Sequence, residues 1–139
     1  MSLINIQNCD FQIEKNIIVG KNTTYHDLLS LAPKSETRDL QNGYKWIYIT
    51  SILIDNLLFN FGFCFHHDRL QSIHFSFYGK CDEKLTWENY NEKDEMKRKD
   101  TFDKWLTKTL GKTRNFEWGA INAYFDLKGG NSGICLRYR

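Results

Sequence analysis

The strongest pattern along the chain is an alternation of period two through its middle. In Tyr44–Leu53 one side carries Tyr44, Trp46, Tyr48 and Thr50, and the other carries Ile47, Ile49, Ser51 and Leu53. Successive side chains of a strand point to opposite faces, so this segment predicts a strand with one aromatic and one aliphatic side. Asp55-Asn56 is a turn signal. In the next segment Leu57, Phe59, Phe61, Phe63 and Phe65 share a face, while Asn60, Gly62, Cys64 and His66 point away. Beyond a turn at His67-Asp68-Arg69, a third strand alternates Ile73, Phe75 and Phe77 with Ser72, His74 and Ser76. For both phenylalanine sets to face one core, paired residue numbers must sum to an even number, because a one-residue slip turns every side chain over. A three-residue loop then predicts Phe65 opposite Ile73, Phe63 opposite Phe75 and Phe61 opposite Phe77. The same register puts Cys64 opposite His74 on the other face.

The flanking segments predict further elements. Two short strands, Leu3–Gln7 and Phe11–Glu14, turn at Asn8-Cys9-Asp10. Thr24 and Asp27 make a capping-box start for a short helix, whose apolar positions Tyr25, Leu28, Leu29 and Ala32 have helical spacing and which Pro33 ends. Phe102, Trp105, Leu106 and Leu110 form the stripe of a long amphipathic helix over Asn91–Leu110, with Gly111 as its stop. A closing hairpin runs from Phe116–Asp126 through a glycine-rich turn, Lys128 to Gly133, into Ile134–Tyr138. Runs of strands separated by helices predict an α+β fold: a mainly antiparallel sheet of about seven strands with one short and one long helix packed on it. At 139 residues, positions 1–139 are expected to form a single domain.

Composition narrows the class. A hydrophobic share of 41%, an aromatic share of 15% and one proline exclude a disordered chain. The net charge of +2 is mildly basic, short of what a dedicated nucleic-acid domain carries. No run approaches the ~18 apolar residues of a membrane span. The first residues, Met1 to Phe11, show neither a basic region nor a sustained apolar one, so a soluble cytoplasmic protein is expected. Four cysteines without a CxxC pair, Cys9, Cys64, Cys81 and Cys135, read as free thiols of a reducing compartment.

Several constellations can carry chemistry, each beside a plainer reading. Cys64 next to His74, with His66, His67 and Ser72 nearby, has the makings of a thiolate or a metal site, though strand-centre cysteines more often pack as small hydrophobes. The turn at Lys128 to Gly133 has its lysine before the glycines and a strand after them, which is a hairpin and not a phosphate cradle. Arg137-Tyr138-Arg139, with Lys112, Arg114 and Lys128, offers a basic hairpin able to hold phosphates, without any recognised nucleic-acid motif. Glu92-Lys93-Asp94-Glu95 reads as a solvated helix face, with Glu95 placed to pair with Lys99. Tyr44, Trp46 and Tyr48 are residue types that anchor protein interfaces. They form either a binding surface or a second core layer under the N-terminal hairpin or the first helix. No catalytic residues, metal or cofactor are assigned.

The closing segment, Phe116-Glu117-Trp118-Gly119-Ala120-Ile121 through Tyr124-Phe125-Asp126-Leu127-Lys128-Gly129-Gly130 to Ile134-Cys135-Leu136-Arg137-Tyr138, resembles the end of small bacterial α+β proteins. Proteins of this size and texture are similar to the immunity proteins of contact-dependent growth inhibition and related polymorphic toxin systems. Leu127 stands where that pattern has proline after the aspartate. The resemblance implies a cytoplasmic, non-catalytic inhibitor whose partner is a cognate toxin domain. Tyr44, Trp46 and Tyr48, with the acidic Glu92, Asp94 and Glu95, are then the candidate partner-binding residues. The alternatives are a nucleic-acid binder using the basic hairpin and a metal or thiol enzyme using the Cys64/His74 face.

Overall fold

In chain order the elements are β1 (Phe11–Glu14), β2 (Ile17–Val19), α1 (Tyr25–Leu31), β3 (Glu36–Asp39), β4 (Tyr44–Ile54), β5 (Leu57–His66), β6 (Arg69–Gly79), α2 (Glu92–Leu110), β7 (Asn115–Phe116), β8 (Gly119–Asp126) and β9 (Asn131–Tyr138). The structure is a computed structural model. It describes residue 4 and residues 10–14, 17–54, 57–79, 92–126 and 131–138, with the backbone alone at 78–79, 92–96, 126 and 131. Strands β3 to β9 form one seven-stranded sheet in the order β3-β4-β5-β6-β9-β8-β7, antiparallel at every step, and β1 and β2 form a separate hairpin. The fold is α+β and mostly sheet, as the sequence predicts.

The core is built from rows of paired residues. One row across the sheet reads Ile47, Phe63, Ile73, Leu136 and Ile121; its neighbour reads Ile49, Phe61, Phe75 and Ile134. Every member of both rows is buried. Helix α2 lies on this face through buried Phe102, Leu106 and Leu110, with Phe102 edge-on to Phe77 and Trp105 against Phe59, Phe75 and Phe77. Phe11 of β1 meets Phe61 and Phe75 edge-on, and Tyr25 of α1 does the same to Phe65. The N-terminal hairpin and both helices therefore cover the phenylalanine face.

Both helices end as their sequences dictate. Thr24 Oγ1 accepts from the Asp27 amide at 3.1 Å, and Asp27 Oδ2 accepts from the Thr24 amide at 3.2 Å. These bonds satisfy donors that the first turn leaves unpaired. Thr24→Ala is expected to cost about 1 kcal/mol, read as a lower urea midpoint. At the C-terminus of α2, Gly111 takes φ +81°, and its amide donates to the Thr107 carbonyl at 2.9 Å. Lys99 pairs with Asp103 at 3.2 Å; the predicted Glu95 partner falls among the side chains that are not described.

Three expectations are corrected. The β5–β6 register keeps its even parity but lies two residues away from the prediction: Phe63 faces Ile73, Phe61 faces Phe75 and Phe59 faces Phe77. The loop is a two-residue turn with His67 and Asp68 at φ +48° and +68°, closing His66 on Arg69. That tight pairing sums to an odd number, and a bulge beyond Phe65 restores the even sum and with it the common core face. Leu53 does not share the aliphatic face of β4. A bulge at Ser51 (φ +59°), whose amide donates to Asn60 Oδ1 at 2.9 Å, reverses the alternation. Ile52 and Ile54 then pack on the core, and Leu53 turns outward, 56% exposed.

β1 pairs with β2, and Ile4 bridges to Phe11 in antiparallel sense; the rest of the predicted Leu3–Gln7 strand lies outside the described residues. Finally, the predicted strand from Phe116 is broken by a turn at Glu117-Trp118. Gly119 there has φ +153°, and an added Cβ would collide with the Arg137 carbonyl. Edge strand β3, fully exposed, carries no apolar alternation by which to predict it. No described helix is long and apolar enough to cross a membrane.

Candidate functional site

The face opposite the phenylalanines is also read in rows. One runs Arg38, Trp46, Cys64, Ser72, Arg137, Ala120, and the next runs Glu36, Tyr48, Gly62, His74, Cys135, Asn122. No described helix or strand packs over these rows, and Tyr44, Trp46, Tyr48, His74 and Tyr124 are half-exposed. Their rings form a continuous surface. Trp46 and Tyr48 lie parallel with centroids 5.8 Å apart, Trp46 approaches His74 at 5.3 Å, and His74 meets Tyr124 edge-on at 6.3 Å. Tyr44 stacks on His66 at 4.3 Å. Outward-turned Leu53 pairs with exposed Leu58 at the far end of the same face.

Two glycines seat these rings. A Cβ on Gly62 would stand 3.3 Å from the Tyr48 ring and 3.4 Å from Trp46, and one on Gly133 would stand 2.8 Å from Tyr124 Oη. Glycine inside a strand weakens it, but here it lets large rings lie flat on the backbone and cover it. Gly62 and Gly133, each inside a predicted strand or its turn, were the signal available in the sequence; the turn reading of Gly133 missed it.

Beside Tyr124 the face sinks into a recess of about 500 Å³, lined by His74, Ala120, Asn122, Tyr124, Cys135 and Arg137. The predicted Cys64/His74 pair does not form. Cys64 stands opposite Ser72, and His74 has Gly62 on one side and Cys135 on the other, because the true register differs by two residues. His74 Nε2 is 3.2 Å from Ser72 Oγ and 3.6 Å from Cys135 Sγ. Burial lowers the His74 pKa from its ordinary 6.5, and the Arg137 charge lowers it further. Burial raises both thiols above their ordinary 9.0, outweighing for Cys64 the Ser72 hydrogen bond and for both the Arg137 charge. The group is thus tuned toward neutral thiol and neutral imidazole, the opposite of the thiolate–imidazolium pair of a cysteine nucleophile. His66 and His67 lie about 13 Å along the strands from His74, and no three His, Cys, Asp or Glu side chains gather as a metal set among the described residues.

These shifts predict a stability plateau. The unfolded chain protonates His74 near 6.5 while the folded protein resists, so stability declines as pH falls from 6.5 through the lower folded value. The unfolded chain ionises Cys64 and Cys135 near 9.0 while the folded protein resists, so stability declines as pH rises past 9.0. Urea midpoints measured across pH are expected to show both limbs, with the acid limb shallower in His74→Gln.

The other candidates are dispersed. Glu92, Asp94 and Glu95 begin α2, which packs on the opposite face of the sheet from Tyr44, Trp46 and Tyr48; their side chains are not described. Arg114 donates to the Gly111 carbonyl at 2.7 Å and to Thr107 Oγ1 at 2.9 Å, so it caps α2 instead of joining a basic patch. Of that patch Arg137 lies in the recess, Lys112 is exposed, and Lys128 and Arg139 lie outside the described residues. Trp118 is buried against Phe116 and Tyr138. Trp87 and Tyr90 lie outside the described residues.

Fold and site together define an α+β protein whose described elements cover one face of an antiparallel sheet and leave its aromatic face without a described cover. Comparison of the chain with protein-family models, curated proteins and solved structures finds no match.

Proposed function

We propose that this protein is a non-catalytic binding module of the immunity type, which holds a cognate bacterial toxin domain against its open sheet face in the cytoplasm. The observation that carries the reading is the contiguous Trp46, Tyr48, His74 and Tyr124 surface on a sheet face that no described element covers. Aromatic residues in well-packed central positions dominate the binding energy of protein interfaces, and exposed clusters of them mark interaction sites. A sheet held rigid by a packed core on its other side presents them with little entropy left to lose. The neutral thiols and imidazole support a binding role over a nucleophilic one. The toxin as partner rests on the resemblance of the closing segment to immunity proteins.

A growth-rescue assay tests this. The C-terminal part of the protein encoded directly upstream is expressed alone and then with this protein. Arrest by the fragment and recovery on co-expression are expected. A harmless fragment, or one that still arrests growth with this protein present, rejects the toxin partner.

A further inference from the structure

We infer that the recess at Arg137 is the specificity pocket of the open face and takes an acidic side chain of a protein partner, whose neighbouring apolar residue lies on the Trp46–Tyr48 rings. This rests on the binding-module reading and names the chemistry of its partner. The recess offers donors: the Arg137 guanidinium and the Asn122 amide line it with the Tyr124 ring, His74, Cys135 and Ala120. No carboxylate lines it, and Arg137 has no acidic partner among the described residues. Arg137 faces Ala120, and Cys135 faces Asn122, so Arg137 and Asn122 are diagonal neighbours on adjacent strands. Diagonal pairs stand about 7–8 Å apart, within reach of one carboxylate placed between two such side chains. The single acidic residue of the two open rows, Glu36, is four strands from Cys135, about 19 Å away.

Charge number and spacing favour a carboxylate over a nucleic-acid strand. A polyanion is held by a track of cations along its phosphates. The open rows hold two arginines, Arg38 and Arg137, in one row but four strands and again about 19 Å apart. One guanidinium beside an amide and an aromatic wall suits one carboxylate, which it can bind through two parallel hydrogen bonds.

The test is an NMR titration of the full-length protein with a blocked pentapeptide bearing aspartate between two phenylalanines. Its asparagine counterpart and a short oligothymidylate serve as comparisons. The aspartate peptide is expected to shift the signals of Asn122, Cys135 and Arg137, and to bind at least about tenfold more tightly than the asparagine peptide, as a charge-assisted bond implies. In Arg137→Gln that preference is expected to vanish with the melting temperature retained, because the Arg137 side chain is exposed. Equal shifts by both peptides, no shifts at all, or shifts from oligothymidylate alone would overturn the inference. The titration needs no toxin, so its failure is read separately from failure of the growth-rescue assay.

Discussion

Phe61→Ala is expected to lower the unfolding free energy by about 3–5 kcal/mol, the largest loss from any single truncation considered. Phe61 is 1% exposed and sits at the centre of the ladder. It stacks between Phe59 and Phe63, tilts against Phe75 and meets Phe11 of the N-terminal hairpin. Truncation removes a whole ring from contact with four others and leaves a void that strands on both sides, fixed by ladder hydrogen bonds, cannot collapse to fill. A domain of ordinary stability has about 5–15 kcal/mol to lose, so the variant is expected to stay folded near room temperature with a melting point lower by about 10–20 °C. Calorimetric melting of the two proteins reads this directly. A drop of only a few degrees would mean that the ladder is not the principal core.

Trp46→Ala is expected to leave the fold in place and weaken partner binding by about 2–4 kcal/mol, or about thirtyfold to a thousandfold in Kd. Trp46 lies flat beside Tyr48 over Gly62 and touches His74, so it links the β4 aromatics to the recess. It is half-exposed and no core row includes it, which confines most of the damage to the surface. Titration calorimetry of wild type and variant with the toxin domain proposed as partner measures the change, and far-ultraviolet dichroism checks the fold. Trp46→Phe, which keeps a flat ring, is expected to recover most of the affinity. An Ala variant that binds within threefold of wild type would place the partner elsewhere, and the N-terminal end of α2 with Glu92, Asp94 and Glu95 would be the next surface to mutate.

Arg137 and Trp46 lie in one row yet are 91 residues apart in the sequence, a separation given by 137 minus 46. Local pattern places each on a strand face; only the pairing of β9 with β6 puts them on the same surface. The resulting recess was therefore not legible, although each strand that builds it was. The Cys64/His74 pairing shows how small the margin is. Parity fixed the face correctly, but a two-residue difference in register put Gly62 opposite His74 in place of Cys64, and the pairing with β9 brought Cys135 to its other side. Turn geometry sets absolute register in a hairpin, and His67 and Asp68, both at positive φ, do not advertise a two-residue turn as Asn-Gly or Asp-Gly would.

By itself the sequence determined the shared phenylalanine face, though not its pairing, together with the two helices with their capping signals and the antiparallel α+β class. These follow from periodicity and from short-range hydrogen bonds, which involve residues within a few positions of one another. The tertiary structure alone decided that the N-terminal hairpin and both helices all lie on the phenylalanine face, with none of them over Tyr44, Trp46 and Tyr48. The hairpin and helices bury more apolar area on the phenylalanine rows than they would on rows interrupted by Ser72, His74, Asn122 and Arg137. That choice leaves Tyr44, Trp46 and Tyr48 uncovered by any described element, and it depends on contacts between distant segments that no local pattern encodes.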